Sequence, residues 1–386
     1  DMVLGSYYLT KIHDNARGAG KVFSSRNEAM FAFDADVIAL NAPITIYERG
    51  VKLETSLGRI IFNEVLPPEF GFLNKAFNKK ELIALSSRII KQFGTAGAPD
   101  YLDAIKRIGF SYAAHSGITW GIDDLIVPKE KDGIIEEAEA AVVAIRGQYQ
   151  EGLLTESERR ARVISIWTEV KNKIAKLVPK ALNPYGSIYS IVDSGARGSW
   201  AQITQVTGMK GLVQNSRSET IELPIKSSFR EGFDVLEFFI ATHGARKGTT
   251  DTALKTAAAG YLTRRLVDVA QDLVIREDDC RTKEGIEVRR SDGAEYGHNF
   301  KDRLFSRTAL NDIKDGKKIL VAEGDVIESE VAETIQASAI ETVVIRSPIT
   351  CKTLYGICSK CYGLDLGRNK QIAKGEAVGV VAAQSI

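Results

Sequence analysis

Four cysteines, Cys280, Cys351, Cys358 and Cys361, are all that the chain holds, and none falls in the first 279 positions. The pattern Cys351-x6-Cys358-x2-Cys361, with Gly363 just beyond, is the spacing by which a tight backbone turn aims thiolates at one metal ion. Cys280 is then the fourth ligand, returned to the site by the residues folded between it and Cys351. Four thiolates favour Zn2+ in a closed tetrahedron with no position left for water, so the expected role is to stabilise structure. A disulfide is at odds with a chain that carries no secretion signal, and a redox Cys-x-x-Cys pair leaves Cys280 and Cys351 without purpose.

Two further stretches carry chemistry. Asp193-Ser194-Gly195-Ala196-Arg197-Gly198-Ser199 brackets one arginine with glycines: glycine lets a backbone approach closely, and the guanidinium is a fixed fork of donors matched to phosphate. An ordinary turn has the same composition, and the Gly-Lys-Ser/Thr of a Walker loop is missing. Residues 233–274 hold no proline and, if helical throughout, extend about 63 Å at ~1.5 Å per residue. Small residues cluster at Thr256, Ala257, Ala258, Ala259 and Gly260, and cations stand at Arg246, Lys247, Lys255, Arg264 and Arg265. The small face and the cations suit a closely approaching polyanion; close packing on another helix, with the cations in water, is the competing reading. Leu254, Ala258, Tyr261, Leu262, Leu266, Val269 and Leu273 form the expected core-facing stripe, and Gly244, Gly248 and Gly260 are places for the helix to bend.

The remaining titratable groups say less. His13, His115, His243 and His298 have neither metal nor triad spacing; His243, inside the long helix, is either a structural residue or one that meets a phosphate or base. Asp34 and Asp36 resemble a paired-carboxylate metal site, but no third carboxylate stands near and exposed loop acids are the expected reading.

The elements that must position these residues are mixed, and the fold class is α+β in several modules. Residues 38–47 lean towards strand with Pro43 as a break, 51–62 contain a turn at Gly58-Arg59, and 78–93 have helical spacing. Between 132 and 178, Ile134, Ala138, Ala141, Ile145 and Tyr149, then Val163, Ile166, Val170, Ile174 and Leu177, recur at three- and four-residue steps around a break at Gly152-Leu153-Leu154. Thr155 with Glu158 is a capping box that starts the second helix, and Pro179 stops it. The result is an antiparallel helical hairpin, either a packed pair or a projecting arm for partner proteins. Short β runs at 319–322 and 342–346 flank a helix at 328–338, a small mixed domain inserted between the first cysteine and the other three.

Composition excludes disorder: 44% of residues are hydrophobic and 26% charged. The 51 basic and 50 acidic residues leave a net charge of +1, so any polyanion must be met by local patches. No uncharged apolar run approaches the ~18 residues needed to span a bilayer, and a cytoplasmic chain is expected. The chain opens on Asp1-Met2 and closes on an apolar run, Gly379 to Ile386, without a stop signal, which reads as a piece of something longer.

Together the motifs resemble one family. Phe239-Ile240-Ala241-Thr242-His243-Gly244-Ala245-Arg246-Lys247-Gly248, continued by Asp251 to Ala257 and Gly260 to Asp272, resembles the bridge helix of the bacterial RNA polymerase β′ subunit. Asp193 to Ser199 resembles its F-loop, Glu277-Asp278-Asp279-Cys280 with the later cysteines its second zinc site, and Gly375 to Ile386 the segment leading into its trigger loop. Gly121-Ile122-Asp123-Asp124 with the helical hairpin resembles its secondary-channel rim, and the motifs occur in family order.

The resemblance implies modules at 1–125 (mixed α/β, pore- or funnel-like), 126–182 (coiled-coil rim), 183–230 (F-loop region), 231–276 (bridge helix), 277–365 (zinc segment with its inserted domain) and 366–386 (start of the trigger-loop region). It implies that Thr256 and Ala257 lie near the templating base pair, and that Arg197 approaches the incoming triphosphate or braces the bridge helix. Arg246, Lys247, Lys255, Tyr261, Arg264 and Arg265 are implied as template- or nucleotide-contacting, Gly244, Gly248 and Gly260 as hinges, and the four cysteines as zinc ligands. Implied partners are the β, α, ω and σ subunits, DNA template, RNA, nucleoside triphosphates and factors docking on the hairpin, with no membrane, in the cytoplasm at the nucleoid. The family's Asn-Ala-Asp-Phe-Asp-Gly-Asp motif, which holds the catalytic Mg2+, does not occur, and Asp34 with Asp36 does not replace it. The implied activity is therefore nucleotidyl transfer as part of a larger complex, with this polypeptide inactive alone. A non-enzymatic zinc-stapled coiled-coil adaptor is the competing class; a zinc hydrolase is disfavoured because four cysteines leave no site for water.

Overall fold

A computed structural model describes residues 1–48, 51–316 and 318–386. The chain divides into two compact units, Asp1–Thr249 and Thr250–Ile386, and the helix Val235–Ala270 runs through the sequence boundary between them. Helices dominate and the sheets are small, which is an α+β architecture.

In the first unit, Val22–Phe23 pairs in parallel with Ile44–Glu48, which pairs antiparallel with Val51–Thr55, placing Ile46 opposite Leu53. The second strand begins just after Pro43, whose missing N–H would leave a gap in the ladder. The turn expected at Gly58-Arg59 is instead the start of a helix, Leu57–Glu64. Ser56 decides this: its hydroxyl accepts the Arg59 N–H at 3.3 Å and caps the first turn. Leu9, Ile38, Ile46, Leu57, Ile60, Phe62, Phe77 and Ile89 fill the core. The helix Met2–Thr10 lies against Lys79–Ser116 so closely that a Cβ on Gly5 would stand 1.8 Å from the Gly109 carbonyl oxygen. Gly94, with φ 65° and ψ −173°, kinks that second helix.

The hairpin comprises Lys131–Gln150 and Glu156–Ala181, and the capping box of Thr155 and Glu158 is present in full. The second helix passes through Pro179 by two residues before Leu182 turns extended. At the last turn the lost N–H costs one bond, while Val178 and Leu182 gain burial in the hairpin core. The buried stripe is Ala138 and Val142 facing Val163, Trp167, Val170, Ile174 and Val178; Ala141 and Tyr149 face solvent, one step round from the expected register. Gly208, closing a π-helical turn, packs on Ile174.

The second unit has two cores. One is built on Ile286–Arg289 paired antiparallel with Thr342–Ile345, on the hairpin of Ile313–Asp315 and Lys318–Val321, and on the helix Ser329–Ala337; Val288, Phe300, Leu304, Ile327, Ile335 and Val343 meet inside it. Lys318–Val321, Thr342–Ile345 and this helix match the expected runs within a few residues, whereas Ile286–Arg289 and Ile313–Asp315 stand outside them. The other core surrounds the cysteines.

Candidate metal centre and nucleic-acid interface

Strand Ile275–Glu277 pairs in parallel with Ile357–Cys358, and the chain then turns into the short helix Ser359–Tyr362. Ile275, Ile357, Ile372 and Val378 are buried around Cys358 and Cys361. Cys280 follows the first strand and Cys351 precedes the second, so the parallel pairing carries a distant cysteine to the other three.

All four sulfurs lie within 4.8 Å of one another, and Cys280 and Cys361 are 3.6 Å apart. A tetrahedron with zinc–sulfur bonds of about 2.3 Å has edges of about 3.8 Å, so the donor set fits one such ion. All four cysteines are free thiols. The turn is shaped by N–H to sulfur bonds: Cys358 donates to Cys351 Sγ and Cys361 to Cys358 Sγ, each at 3.4 Å. Gly363 must follow, since its φ is +101° and a Cβ there would stand 2.1 Å from the Ser306 carbonyl oxygen. Burial opposes ionisation of Cys280, but N–H donors from Lys352 and Thr282 outweigh it and hold that thiol down to about 6. Burial pushes the Cys361 thiol up. A cation bound among the sulfurs would offset the charge of four thiolates at this spacing.

Sequence reasoning gave no role to the charges around the cluster. Arg346, at the end of the buried strand Thr342–Ile345, is 5% exposed and donates to Asp279 at 2.7 Å. The same Nη2 reaches Cys280, Cys361 and Cys358 sulfurs at 3.4, 3.5 and 3.7 Å. Lys360 also meets Asp279, at 3.2 Å, and these cations overcome the effect of burial to hold that carboxyl down to about 2. An arginine closing an apolar strand five positions before a ligand was the available signal.

The arginine-bearing loop opens on Asp193, which accepts the Tyr7 hydroxyl at 2.5 Å, and Lys79 N–H donates to the Ser194 carbonyl at 2.9 Å. Gly195 and Gly198 both take positive φ, +72° and +75°. Arg197 is exposed at the mouth of an apolar cavity of about 300 Å³ lined by Trp120, Leu125, Ile188, Val192 and Ile203.

The helix Val235–Ala270 is shorter than the expected 233–274 and spans about 54 Å at ~1.5 Å per residue. Its apolar stripe is not core: Leu254 is 66% exposed, Tyr261 63% and Val269 83%, and only Ala241 is buried among the helix's described residues. The period was right, but the described chain puts no core over that face. Among the described residues, a Cβ at Gly244, Gly248 or Gly260 would meet nothing within 4 Å, so these three glycines are open positions. Lys247 is tied to the Ser216 carbonyl at 3.0 Å and the Ser218 hydroxyl at 2.5 Å. Arg246, Lys255, Ala257, Arg264 and Arg265 are exposed, the Thr256 hydroxyl bonds back to the Thr252 carbonyl at 2.7 Å, and Arg265 lies over the Tyr261 ring at 4.5 Å. Ala257, Tyr261, Arg264 and Arg265 fall at i, i+4, i+7 and i+8 and share one face, offering a small surface, a ring and two guanidinium forks together. His243 is exposed on this helix, and Asp36 is paired with Arg17 at 2.9 Å. Among the described residues the four cysteines form the sole cluster with metal-ligand spacing; no carboxylate group fits Mg2+. Nor is any described helix long and apolar enough to cross a membrane.

Residues 1–125, 143–230 and 232–386 match, in turn, the families described as RNA polymerase Rpb1, domain 3, domain 4 and domain 5. Three consecutive domains of one subunit, in order, define the class: the chain belongs to the Rpb1 family of large RNA polymerase subunits. Within it the similarity is to a part of the bacterial β′ subunit. DNA-directed RNA polymerase subunit beta' of Moorella thermoacetica is 47% identical over 392 residues, an alignment covering 100% of this chain and 34% of that relative. The same subunit of Desulforamulus reducens is 46% identical, covering 100% and 33%, and that of Bacillus thuringiensis 43%, covering 100% and 36%. The chain thus spans about a third of the length of the curated relatives it matches.

Proposed function

We propose that this chain supplies part of the active-centre cleft of a DNA-dependent RNA polymerase, a nucleotidyltransferase that polymerises nucleoside triphosphates on a DNA template in the cytoplasm at the nucleoid. The observation that carries this reading is the long helix whose small, aromatic and cationic face is left exposed, in a chain of the Rpb1 family. On this reading Thr256 and Ala257 admit the templating base pair, because any larger side chain would project into the same space. Arg264, Arg265, Lys255 and Arg246 neutralise backbone phosphates, Lys247 adds charge from its tie to the 216–218 loop, and Tyr261 offers a ring for stacking. Gly244, Gly248 and Gly260 let the helix bend as the nucleic acid steps forward. Arg197, on glycine-flanked backbone, meets the incoming triphosphate or the helix itself. The hairpin forms the rim of the channel through which nucleotides enter and on which regulatory factors dock, and the β, α, ω and σ subunits complete the assembly.

The four cysteines hold one structural Zn2+, which when bound neutralises the thiolates and fixes Cys280 to the 351–361 turn. Catalytic Mg2+ is held by residues that this chain does not contain.

The test is elongation by polymerase assembled with the full subunit. Thr256→Trp and Arg197→Glu are each expected to lower the nucleotide addition rate at least tenfold while the enzyme still assembles. Elongation at the parental rate by both would sink the assignment. Template DNA crosslinked from residues 246–265 supports it; no crosslink, with partner proteins captured by the hairpin alone, is what a non-enzymatic adaptor gives.

A further inference from the structure

Arg346 is the buried cation that neither the fold nor the proposed chemistry of the cleft uses. The residue is 5% exposed, its Nε finds no acceptor, and the carboxylate that meets its guanidinium is Asp279 at 2.7 Å. A buried guanidinium needs negative charge around it, and one carboxylate shared with Lys360 leaves it under-compensated. The remaining acceptors are the sulfurs of Cys280, Cys361 and Cys358, at 3.4, 3.5 and 3.7 Å. Among the four sulfurs its bonds go to these three. The fourth sulfur, on Cys351, faces the Thr353 hydroxyl at 3.1 Å and the Cys358 amide at 3.4 Å.

We propose that Arg346 is the charge partner of the bound metal: it caps the sulfur face of Cys280, Cys358 and Cys361, is held there by Asp279, and slows loss of the ion. This rests on the zinc reading above. Zn2+ with four thiolates carries a net charge of −2, and N–H donors from a fixed cation spread that charge and hold the three sulfurs in place around the ion. Arg346 also lines a polar cavity of about 380 Å³ with Asp279, Lys283, Glu323 and Lys360. Asp279 fixes its orientation, as carboxylates orient the groups that bond to metal ligands elsewhere.

The test measures zinc transfer from the full, zinc-loaded chain to a coloured chelator at fixed pH. Arg346→Gln is expected to release zinc about tenfold faster or more, in line with partners of this kind. Arg346→Lys, which keeps the charge, should stay within about threefold, and Asp279→Asn should lie between. Lys283→Gln, which lines the cavity but touches no sulfur, should match the parent. Release from Arg346→Gln at or below the parental rate overturns the proposal, because the guanidinium would then compete with the metal for its place. Should Arg346→Gln fail to fold, by loss of helical circular dichroism, Asp279→Asn decides, and a rate within twofold of the parent overturns the proposal. A parent chain that holds no zinc sinks the metal reading itself; a zinc-loaded parent whose release ignores Arg346 sinks this inference alone.

Discussion

Lys131, at the foot of the hairpin, has a side chain only 3% exposed, and its ammonium meets the Glu231 carboxylate just ahead of the long helix. Glu231 is also held by the N–H and hydroxyl of Ser228, both at 2.8 Å, and is 36% exposed. Glu231→Gln removes the counter-charge and strands a buried ammonium. Breaking a fully buried pair from one side costs about 3–5 kcal/mol, and water reaching Glu231 lowers the expectation here to about 2–3 kcal/mol. Lys131→Met removes the other partner but leaves Glu231 with Ser228 and solvent, so its expected cost is about 1 kcal/mol or less. The double variant should cost no more than Lys131→Met, a coupling of about 2 kcal/mol. Urea unfolding read by tryptophan emission is the assay, since Trp120, Trp167 and Trp200 all lie in the first unit. Burial opposes ionisation of Glu231, but Lys131 and Ser228 outweigh it and hold the carboxyl below its usual range. Its contribution is therefore present above the unfolded carboxylate pKa of about 4.3 and is lost as pH falls through the lower folded value. That acid-side loss should shrink in Lys131→Met. Equal costs for the two single variants, or a Glu231→Gln cost under about 0.5 kcal/mol, would refute the reasoning.

Three further outcomes follow from other parts of the molecule. Cys358→Ser should leave less than one bound metal per chain by elemental analysis, with faster amide exchange at 357–361 but unchanged exchange at Val288 and Val343, whose core contains no ligand; full metal content would count against a four-sulfur site. Arg290 donates to the carbonyls of Ile335, Gln336, Ser338 and Ile340 at 3.0–3.2 Å, so Arg290→Ala should cost about 3 kcal/mol and show first as fraying of Ser329–Ala337 in hydrogen exchange. Gly244→Ala, at an open position, should raise helix stability by about 0.5–1 kcal/mol while slowing elongation by assembled polymerase; unchanged elongation argues against a hinge there.

Features that depend on local spacing were readable from the chain alone. The capping box at Thr155 and the helix within 328–338 each rest on a few neighbouring residues and are present, whereas of the strand-leaning run 38–47 only the part after Pro43 forms a strand. Local rules failed where a non-local or competing contact outweighed them. Gly58 looked like a turn until the Ser56 cap made it helical, and Pro179 looked like a stop although hairpin burial extends past it. The stripe from Leu254 to Leu273 has the period of a core face yet lies exposed, because period reports that a face is apolar and says nothing of what covers it.

The sequence by itself determined the candidate metal-ligating thiols, the helical hairpin, the long helix and the family, since each is written in residue identity and spacing. Tertiary structure alone decided how Cys280 is carried to the other three cysteines, that Arg346, paired with Asp279, stands against their sulfurs, and that Lys131 finds Glu231. Those pairs are separated by tens of residues, and their contact depends on a parallel strand pairing and on packed cores that no local pattern encodes.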